Sequence, residues 1–179
     1  MAIINGNDRP NNLSGTNASD LIQGFGSGDT LQGQGGDDRI YGGFGGDYLS
    51  GAAGRDTLIG GPGKDILYGG AAADLLTGGS GADIFRYASA SDSRVTSGVD
   101  LITDFRSSEN DKIDLRLIDG GNGSFIGSNA FNGVAGEVNS RIRGGNTFVS
   151  ADLNGDARAD FTVELRGVHS LRGSDFQLF

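Results

Sequence analysis

An aspartate recurs every nine residues through the first half of this 179-residue chain. Eight consecutive nonapeptides, residues 15–86, keep this register without a break, and a large apolar residue stands two places after each aspartate. The aspartates are Asp20, Asp29, Asp38, Asp47, Asp56, Asp65, Asp74 and Asp83, and the apolar residues are Ile22, Leu31, Ile40, Leu49, Leu58, Leu67, Leu76 and Phe85. A weaker unit at residues 6–14 precedes them, with Asn11 and Leu13 in the matching places. This phasing predicts stacked repeats that share one local structure.

Each nonapeptide combines a glycine-rich turn with an anionic oxygen. Residues 42–46 read Gly-Gly-Phe-Gly-Gly, and glycine adopts positive φ without a Cβ clash, so such a run can turn sharply and direct successive carbonyl oxygens to one place. The aspartate adds a hard ligand, which suits a cation that takes about six to eight oxygens. Because side chains alternate faces along a strand, we expect a short strand over the seventh to ninth places with only the eighth residue pointing inward.

Two units then make one coil, and strands two units apart stack into one sheet. One predicted sheet carries Leu13, Leu31, Leu49, Leu67 and Phe85, and the facing sheet carries Ile22, Ile40, Leu58 and Leu76. Aspartates in successive coils, such as Asp47 and Asp65, become neighbours. Two carboxylates about 4 Å apart repel by roughly 1 kcal/mol in water and about 4 kcal/mol at an effective dielectric of 20. With so thin an apolar core, we expect disorder without a cation and folding with one.

The unit resembles the nonapeptide G-G-x-G-x-D-x-U-x of the RTX (repeats-in-toxin) family. Residues 42–50, 60–68 and 78–86 match at every place. The resemblance implies an all-β fold, a right-handed parallel β-roll over residues 6–86, and several Ca²⁺ ions per chain. It assigns the eight repeat aspartates as metal ligands, together with backbone carbonyls of the turns. The turns that match fully contribute Gly42, Gly43, Gly45, Gly60, Gly61, Gly63, Gly78, Gly79 and Gly81.

The register ends at Arg86, and glycine becomes less frequent. Residues 98–119, GVDLITDFRSSENDKIDLRLID, resemble the cap that follows the roll in serralysin-type metalloproteases, and the resemblance continues to the C-terminus. It implies a β cap over residues 87–179, including an antiparallel hairpin of residues 147–151 and 161–166. The apolar residues expected to plug the last coil are Phe85, Tyr87, Leu101, Ile102, Phe105, Ile113 and Leu115.

The hairpin loop is itself acidic. In DLNGDARAD, four oxygen-bearing side chains, Asp152, Asn154, Asp156 and Asp160, stand near a glycine, as at the start of an EF-hand loop. Val163 occupies the place of the bidentate glutamate. Two readings stay open, a further calcium site and a plain Asx-type turn.

Composition excludes several classes of function. The net charge is −9, which argues against nucleic acid, and without cysteine there is neither a disulfide nor a thiolate site. His169 is the only histidine, so an H-E-x-x-H zinc helix is excluded, and Lys64 in GGPGKD is followed by Asp65 rather than by the Ser or Thr of a phosphate loop. We therefore expect no enzymatic activity in this chain.

The calcium concentration that such a module needs predicts where the protein works. Weak calcium modules need about 10⁻⁴–10⁻³ M of the ion, so the protein is expected outside the cell. No apolar run reaches the ~18 residues of a membrane span, and the start lacks the features of a Sec signal. Residues 174–179 resemble the ends of substrates of Gram-negative type I secretion, although a short apolar tail also fits a last strand on the cap.

Three functions compete. The leading hypothesis is a non-catalytic, secreted module that folds on calcium binding and supports type I secretion and stability outside the cell. The alternative is a module that binds an anionic polysaccharide, because the chain is also similar to the R-modules of mannuronan C-5 epimerases. Such binding needs cations, for which the candidates are Arg141, Arg143, Arg158, Arg166 and Arg172. In the third, the chain is the C-terminal part of a larger secreted enzyme such as a protease, lipase or epimerase.

Overall fold

Strands that lie eighteen residues apart along the chain are hydrogen-bonded neighbours in space. The computed structural model describes residues 1–93, 98–118, 121–167 and 169–178. Its strands are β1 Ile3–Asn7, β2 Asn12–Ser14, β3 Leu21–Gly26, β4 Thr30–Gly35, β5 Arg39–Phe44, β6 Tyr48–Ala53, β7 Thr57–Pro62, β8 Ile66–Ala71, β9 Leu75–Ser80, β10 Ile84–Arg86, β11 Asp100–Ile102, β12 Lys112–Asp114, β13 Ser124–Phe125, β14 Glu137–Arg143, β15 Asn146–Asp152, β16 Phe161–Leu165 and β17 Phe176–Gln177. Two three-residue 3₁₀ segments, Ser107–Glu109 and Gly173–Asp175, are the helical elements of the described part.

The strands form two sheets that face each other across the apolar core. The long sheet has the order β1-β3-β5-β7-β9-β11-β16-β15-β14-β13, and the short sheet has the order β17-β12-β10-β8-β6-β4-β2. The predicted registers are confirmed, since Leu31 pairs with Leu49 in the short sheet and Ile40 pairs with Leu58 in the long one. All pairs in the repeat region are parallel, so the fold is an all-β parallel solenoid.

Strands β3 to β9 are each longer than the sequence pattern indicates. Strand β3 spans six residues and continues from the seventh place of one unit into the third place of the next. Among residues 21–23 only Ile22 is buried, as predicted, and the longer strand adds the buried Gly24 and Gly26. Glycine has no side chain that could interrupt the stacking, so the backbone goes on pairing where a larger residue would clash. A Cβ added to Gly24 would lie 2.5 Å from the Gly42 carbonyl oxygen of the next coil.

The segment after the repeats continues both sheets and then reverses direction. Strand β11 pairs with β9 in the long sheet, and β12 pairs with β10 in the short one, both in parallel. Beyond β11, strands β16, β15 and β14 form the antiparallel region expected near the C-terminus, and the predicted hairpin is β15–β16.

The plug of the last coil contains six of the seven residues predicted for it. Phe85, Tyr87, Ile102, Phe105, Ile113 and Leu115 are all buried in the core. Leu101 is the exception, because it pairs with Leu75 on the outer face of the long sheet while its neighbour Ile102 points inward. The strand alternation that places Ile102 in the core therefore excludes Leu101 from it.

The C-terminal residues pack on the cap. Strand β17 adds in parallel to β12, with Phe176 opposite Ile113, and Phe176 is 7% exposed. Its ring lies 4.7 Å from that of Phe125, measured between centroids. The last-strand reading of the tail thus describes Phe176 and Gln177, and Phe179 lies outside the described residues.

Candidate metal centre

The turns between strands repeat one unusual backbone conformation. From the second to the eighth unit, the second and fourth places have positive φ whether or not they are glycine: Phe25 has 78°, Gly43 108°, Ser27 69° and Gly45 131°. A Cβ built on Gly43 would lie 2.1 Å from the carbonyl oxygen of Phe25, and one on Gly45 would lie 2.2 Å from that of Ser27. The second- and fourth-place carbonyls of one coil therefore point at the turn of the next coil.

The repeat aspartates form a hydrogen-bonded ladder. The Asp38 Oδ1 atom accepts the backbone N–H of Asp20, and the same bond joins Asp47 to Asp29 and Asp65 to Asp47. Donor–acceptor distances along the ladder are 2.7–3.0 Å. One oxygen of each interior carboxylate is thus fixed by the preceding coil.

Within the described part of the chain, the other oxygen of the same carboxylates has no hydrogen-bond partner. The side chains are at most 3% exposed, and the buried Oδ2 atoms without a hydrogen bond belong to Asp29, Asp38, Asp47, Asp56, Asp65, Asp74 and Asp83. Around Asp65, the Oδ2 atom and the Gly78 carbonyl oxygen border the space that a Cβ on Gly60 would fill, at 2.4 and 2.6 Å from it. A buried anionic oxygen among carbonyl oxygens lacks a positive charge, and hard oxygen donors of this kind fit Ca²⁺.

Burial makes these carboxylates reluctant to ionise in the absence of a cation. Burial, as the largest cause, and the neighbouring aspartates together raise the pKa of Asp56 and Asp83 to about 6 and that of Asp65 and Asp74 to about 7. Asp20, at the start of the ladder, behaves differently, because the Ala2 N–H bond holds its pKa below the usual value. The electrostatic demand for a cation therefore lies in the interior coils.

The ladder extends beyond the repeats, which the nine-residue pattern of the sequence did not predict. Asp100 Oδ1 accepts the Asp74 N–H, and Asp111 Oδ1 accepts the Asp83 N–H. Burial raises the pKa of Asp100 to about 9. Both aspartates fall outside the nine-residue register, because their ladder partners are 26 and 28 residues away in the chain instead of 18. A signal was present nonetheless, because Asp100-Leu-Ile102 and Asp111-Lys-Ile113 reproduce the aspartate-x-apolar triplet of the repeat.

Two further cap carboxylates contact the last glycine turn. Asp104 accepts the N–H groups of Gly78 and Gly79, and Glu109 accepts that of Gly81. These glycines were predicted to serve the metal through their carbonyls, and their N–H groups bind the cap instead of water. The cap therefore closes the final turn through charge-assisted hydrogen bonds.

The acidic hairpin loop is held by its own backbone. Asp152 Oδ1 accepts the Gly155 N–H and its Oδ2 accepts the Ala157 N–H, whereas Asp160 Oδ2 accepts the N–H groups of Leu153 and Asn154. Asn154 accepts the Asp156 N–H. Asp156 accepts the Arg158 N–H, so each of the four oxygen-bearing residues accepts a hydrogen bond from the loop backbone, as in Asx-type turns.

Side chains alone do not build a metal site here. Across residues 1–93, 98–118, 121–167 and 169–178, no three His, Cys, Asp or Glu side chains cluster as a metal site. In the roll, the backbone carbonyls of the turns would have to complete the ligand set around the unpaired aspartate oxygens.

The candidate cations for polysaccharide binding separate in space. Arg141 and Arg143 line one cavity of about 320 Å³ on the outer face of the cap, and Arg158 and Arg166 do not line it. Arg166 is exposed and its backbone N–H donates to the Ile102 carbonyl. The ring of His169 bonds the Arg166 carbonyl and packs edge-on against Phe105, as expected of a structural histidine.

With this geometry described, comparison with known proteins identifies the family. The family model of the peptidase M10 serralysin C terminal matches residues 41–178. The chain belongs to this family. The match includes the later repeats and nearly the whole cap, so the ladder and its extension through Asp100 and Asp111 lie within the family domain.

The chain is also similar to several solved structures. The AlgE6R2 subunit of the mannuronan C5-epimerase from Azotobacter vinelandii is 33% identical over 79% of this chain and 88% of its own, with a TM-score of 0.58. The AlgE6R3 subunit of the same enzyme is 31% identical over 96% of this chain and 80% of its own, with a TM-score of 0.45. The extracellular lipase LipA from Serratia marcescens is 15% identical over 97% of this chain and 40% of its own, with a TM-score of 0.41.

No curated protein matched the chain. Within the part of the chain that the structure describes, no helix has the length and hydropathy needed to cross a bilayer.

Proposed function

We propose that this chain is a secreted, non-catalytic module that folds when Ca²⁺ binds between the turns of successive coils. The observation that carries the proposal is the row of buried Oδ2 atoms without a hydrogen-bond donor. A carboxylate in this state is costly, and a cation removes the cost. Membership of the serralysin C-terminal family, whose RTX-type domains generally bind calcium, favours Ca²⁺ as that cation.

The carboxylates and the backbone carbonyls have different roles in binding the ion. The aspartate Oδ2 atoms supply negative charge, and the second- and fourth-place carbonyls, such as those of Phe25 and Ser27, supply neutral oxygens at the turns. The Oδ1 atoms fix each carboxylate to the preceding coil, so the ligands keep one orientation in the folded roll. Bound calcium supplies the positive charge that neutralises the stacked carboxylates.

Folding coupled to calcium suits a protein that crosses a membrane unfolded. Low intracellular calcium would leave the roll open, and extracellular calcium would close it after export. Type I export with a C-terminal signal is part of this proposal, and so is a role as the C-terminal module of a larger secreted enzyme. Secretion of the chain by cells with and without a type I exporter, measured in the culture medium, tests the route; equal amounts from both would exclude it.

Far-UV circular dichroism of the isolated chain tests the calcium proposal. We expect a largely unfolded spectrum in chelator, a cooperative gain of β structure with millimolar Ca²⁺ and a much weaker response to Mg²⁺, which prefers a tighter octahedron. Isothermal titration should show several ions per chain. A β-rich spectrum in chelator that calcium leaves unchanged would refute the proposal.

A second function is favoured by the outer face of the cap. Arg141 and Arg143 lie together on a protein of net charge −9, and the AlgE6R2 structure belongs to an enzyme that acts on mannuronan. Binding of a uronate polymer is therefore the second candidate. It is compatible with the first, because the cap face and the calcium turns involve different residues.

A further inference from the structure

The cap carries a cleft on the outer face of the long sheet. Two adjoining cavities, of about 320 and 260 Å³, share Arg141, Arg143, Ser150 and Ala159 in their walls. The loop that contains Phe131 borders the first cavity, and its neighbour Asn129 accepts a hydrogen bond from the buried Asn139 side chain. The cleft is therefore formed by a sheet face and a loop anchored to it.

Strand pairing places both arginines on the same side of β14. Arg141 is opposite Phe148 and Arg143 is opposite Asn146, whereas the alternate residue Val138 is opposite Ala151 in the core. Residues two apart on a strand are separated by about 6.8 Å, at roughly 3.4 Å per residue. The two guanidinium groups thus project from one face at a fixed interval.

The acidic side chains near this cleft accept hydrogen bonds within the protein, whereas the two arginines differ from them in this respect. Glu137 accepts hydrogen bonds from the backbone and the side chain of Asn132 at 2.7 and 2.9 Å. Glu164 accepts from Asn146. Among the described residues, neither Arg141 nor Arg143 has a side-chain hydrogen bond or an ion pair within the protein. Two unpaired cations side by side repel each other, and an anionic ligand would remove that repulsion.

We propose that this cleft binds the carboxylates of an acidic polysaccharide. The proposal rests on the second candidate function and names its site. A guanidinium forms a bidentate pair with a carboxylate, and two of them at a fixed interval can meet two carboxylates of one extended chain. The floor combines the apolar surface of Val99 and Phe148 with the hydroxyls of Ser150 and Thr162, a mixture that suits the C–H faces and hydroxyls of sugars.

An acidic peptide is the competing ligand. Extended peptides commonly add to the free edge of a sheet, where backbone groups are unpaired. The cleft lies over the face of β14 and β15, whose backbones pair with each other along seven residues. The geometry therefore favours a ligand that is recognised through its substituents rather than through a peptide backbone.

Binding of short oligouronates to the whole chain in calcium tests the proposal. Oligomers too short to gel are titrated by calorimetry against the wild type, the double variant Arg141→Gln/Arg143→Gln and the control Arg9→Gln/Lys64→Gln. The control removes the same charge from exposed turns of the roll. The expected result is binding by the wild type and the control, and affinity at least about tenfold lower in the first variant, the equivalent of one lost charge-assisted hydrogen bond.

Neutral malto-oligosaccharides and polyglutamate complete the experiment. Equal affinity of both double variants for oligouronates would overturn the proposal, and so would tighter binding of polyglutamate or no binding of any acidic polymer. Circular dichroism of each sample separates this outcome from the fate of the calcium proposal. A chain that is folded in chelator refutes calcium-dependent folding, yet its arginine variants still decide whether the cleft binds uronates.

Discussion

Replacing Asp65 with asparagine should change stability in opposite directions with and without calcium. Asp65 is completely buried, its Oδ1 atom accepts the Asp47 N–H, and its Oδ2 atom has no partner. Asparagine retains an oxygen for the Asp47 N–H. It also places an NH₂ donor near the Gly78 carbonyl oxygen, to which the ionised carboxylate cannot donate a hydrogen bond.

The size of the effect follows from the carboxylate's environment. In the calcium-free fold, burial raises the pKa of Asp65 from 3.8 to about 7, which corresponds to roughly 4 kcal/mol of disfavoured ionisation. Asp65→Asn removes that cost, so the calcium-free fold should become more stable by up to about 4 kcal/mol near neutral pH. In calcium, the same change deletes a charged ligand and should raise the calcium midpoint at least about tenfold.

Two titrations followed by circular dichroism measure both halves of this prediction. In chelator, an osmolyte that is excluded from the protein surface drives folding, and Asp65→Asn should need less of it than the wild type. In calcium, the variant should need more of the ion, and calorimetry should count fewer bound ions. Asp37→Asn is the matched control, because Asp37 is exposed and precedes the ladder residue Asp38 in the chain.

The reasoning would be refuted if Asp65→Asn needed more osmolyte than the wild type in chelator. That result would mean that the carboxylate stabilises the fold without a cation, contrary to its unpaired oxygen. A calcium midpoint equal to that of the wild type would show instead that Asp65 is not a ligand. If Asp37→Asn reproduced both shifts, net charge rather than the buried site would be the cause.

Two other predictions concern strain and pH. Ala72 has a φ of 95° at a fourth place, so Ala72→Gly should stabilise the calcium-bound protein by about 0.5–1 kcal/mol in urea titrations, whereas Ala71→Gly at the exposed third place should not. Burial raises the pKa of Asp56, Asp65, Asp74 and Asp83 in the fold to about 6–7, above the unfolded value of 3.8. The stability that protonation of these groups provides is complete below that unfolded value and is lost as the pH rises through 6–7. In chelator, β structure should therefore increase as the pH falls from 7.5 towards 4.5, and a spectrum that stays constant over this range would contradict the assignment.

The roll could be predicted from the sequence because one period determines it. Aspartate and leucine or isoleucine recur in fixed places, so the two sheets and the register of Leu31 with Leu49 follow from stacking alone. The strand length did not follow, because glycine gives no hydrophobic signal and yet Gly24 is a buried strand residue. The local triplet at Asp100 could have shown that the ladder continues, but its distance from Asp74 is set by a connection outside the repeat.

The arginine cleft on the cap could not be predicted from the sequence, for a different reason. Five arginines were candidates, and nothing in their spacing distinguishes Arg141 and Arg143 from Arg158 or Arg166. Strand alternation and the loop with Phe131 bring the first two into one cleft. Whether a cation has a partner depends on contacts between distant segments, such as Asn146 with Glu164, which no local pattern encodes.

The hydrogen bonds of the aspartate ladder all run in one direction, so each coil depends on the coil that follows it. Each carboxylate accepts the N–H of the coil before it, so a coil relies on its successor for an acceptor, as Asp47 relies on Asp65. Removing coils from the N-terminal side would leave every remaining aspartate N–H with its acceptor. Removing the cap would take Asp100 and Asp111 away from Asp74 and Asp83, and two buried N–H groups would lose their partners. Shortened versions of this protein should therefore be trimmed from the front, and the last coils should be kept together with the cap.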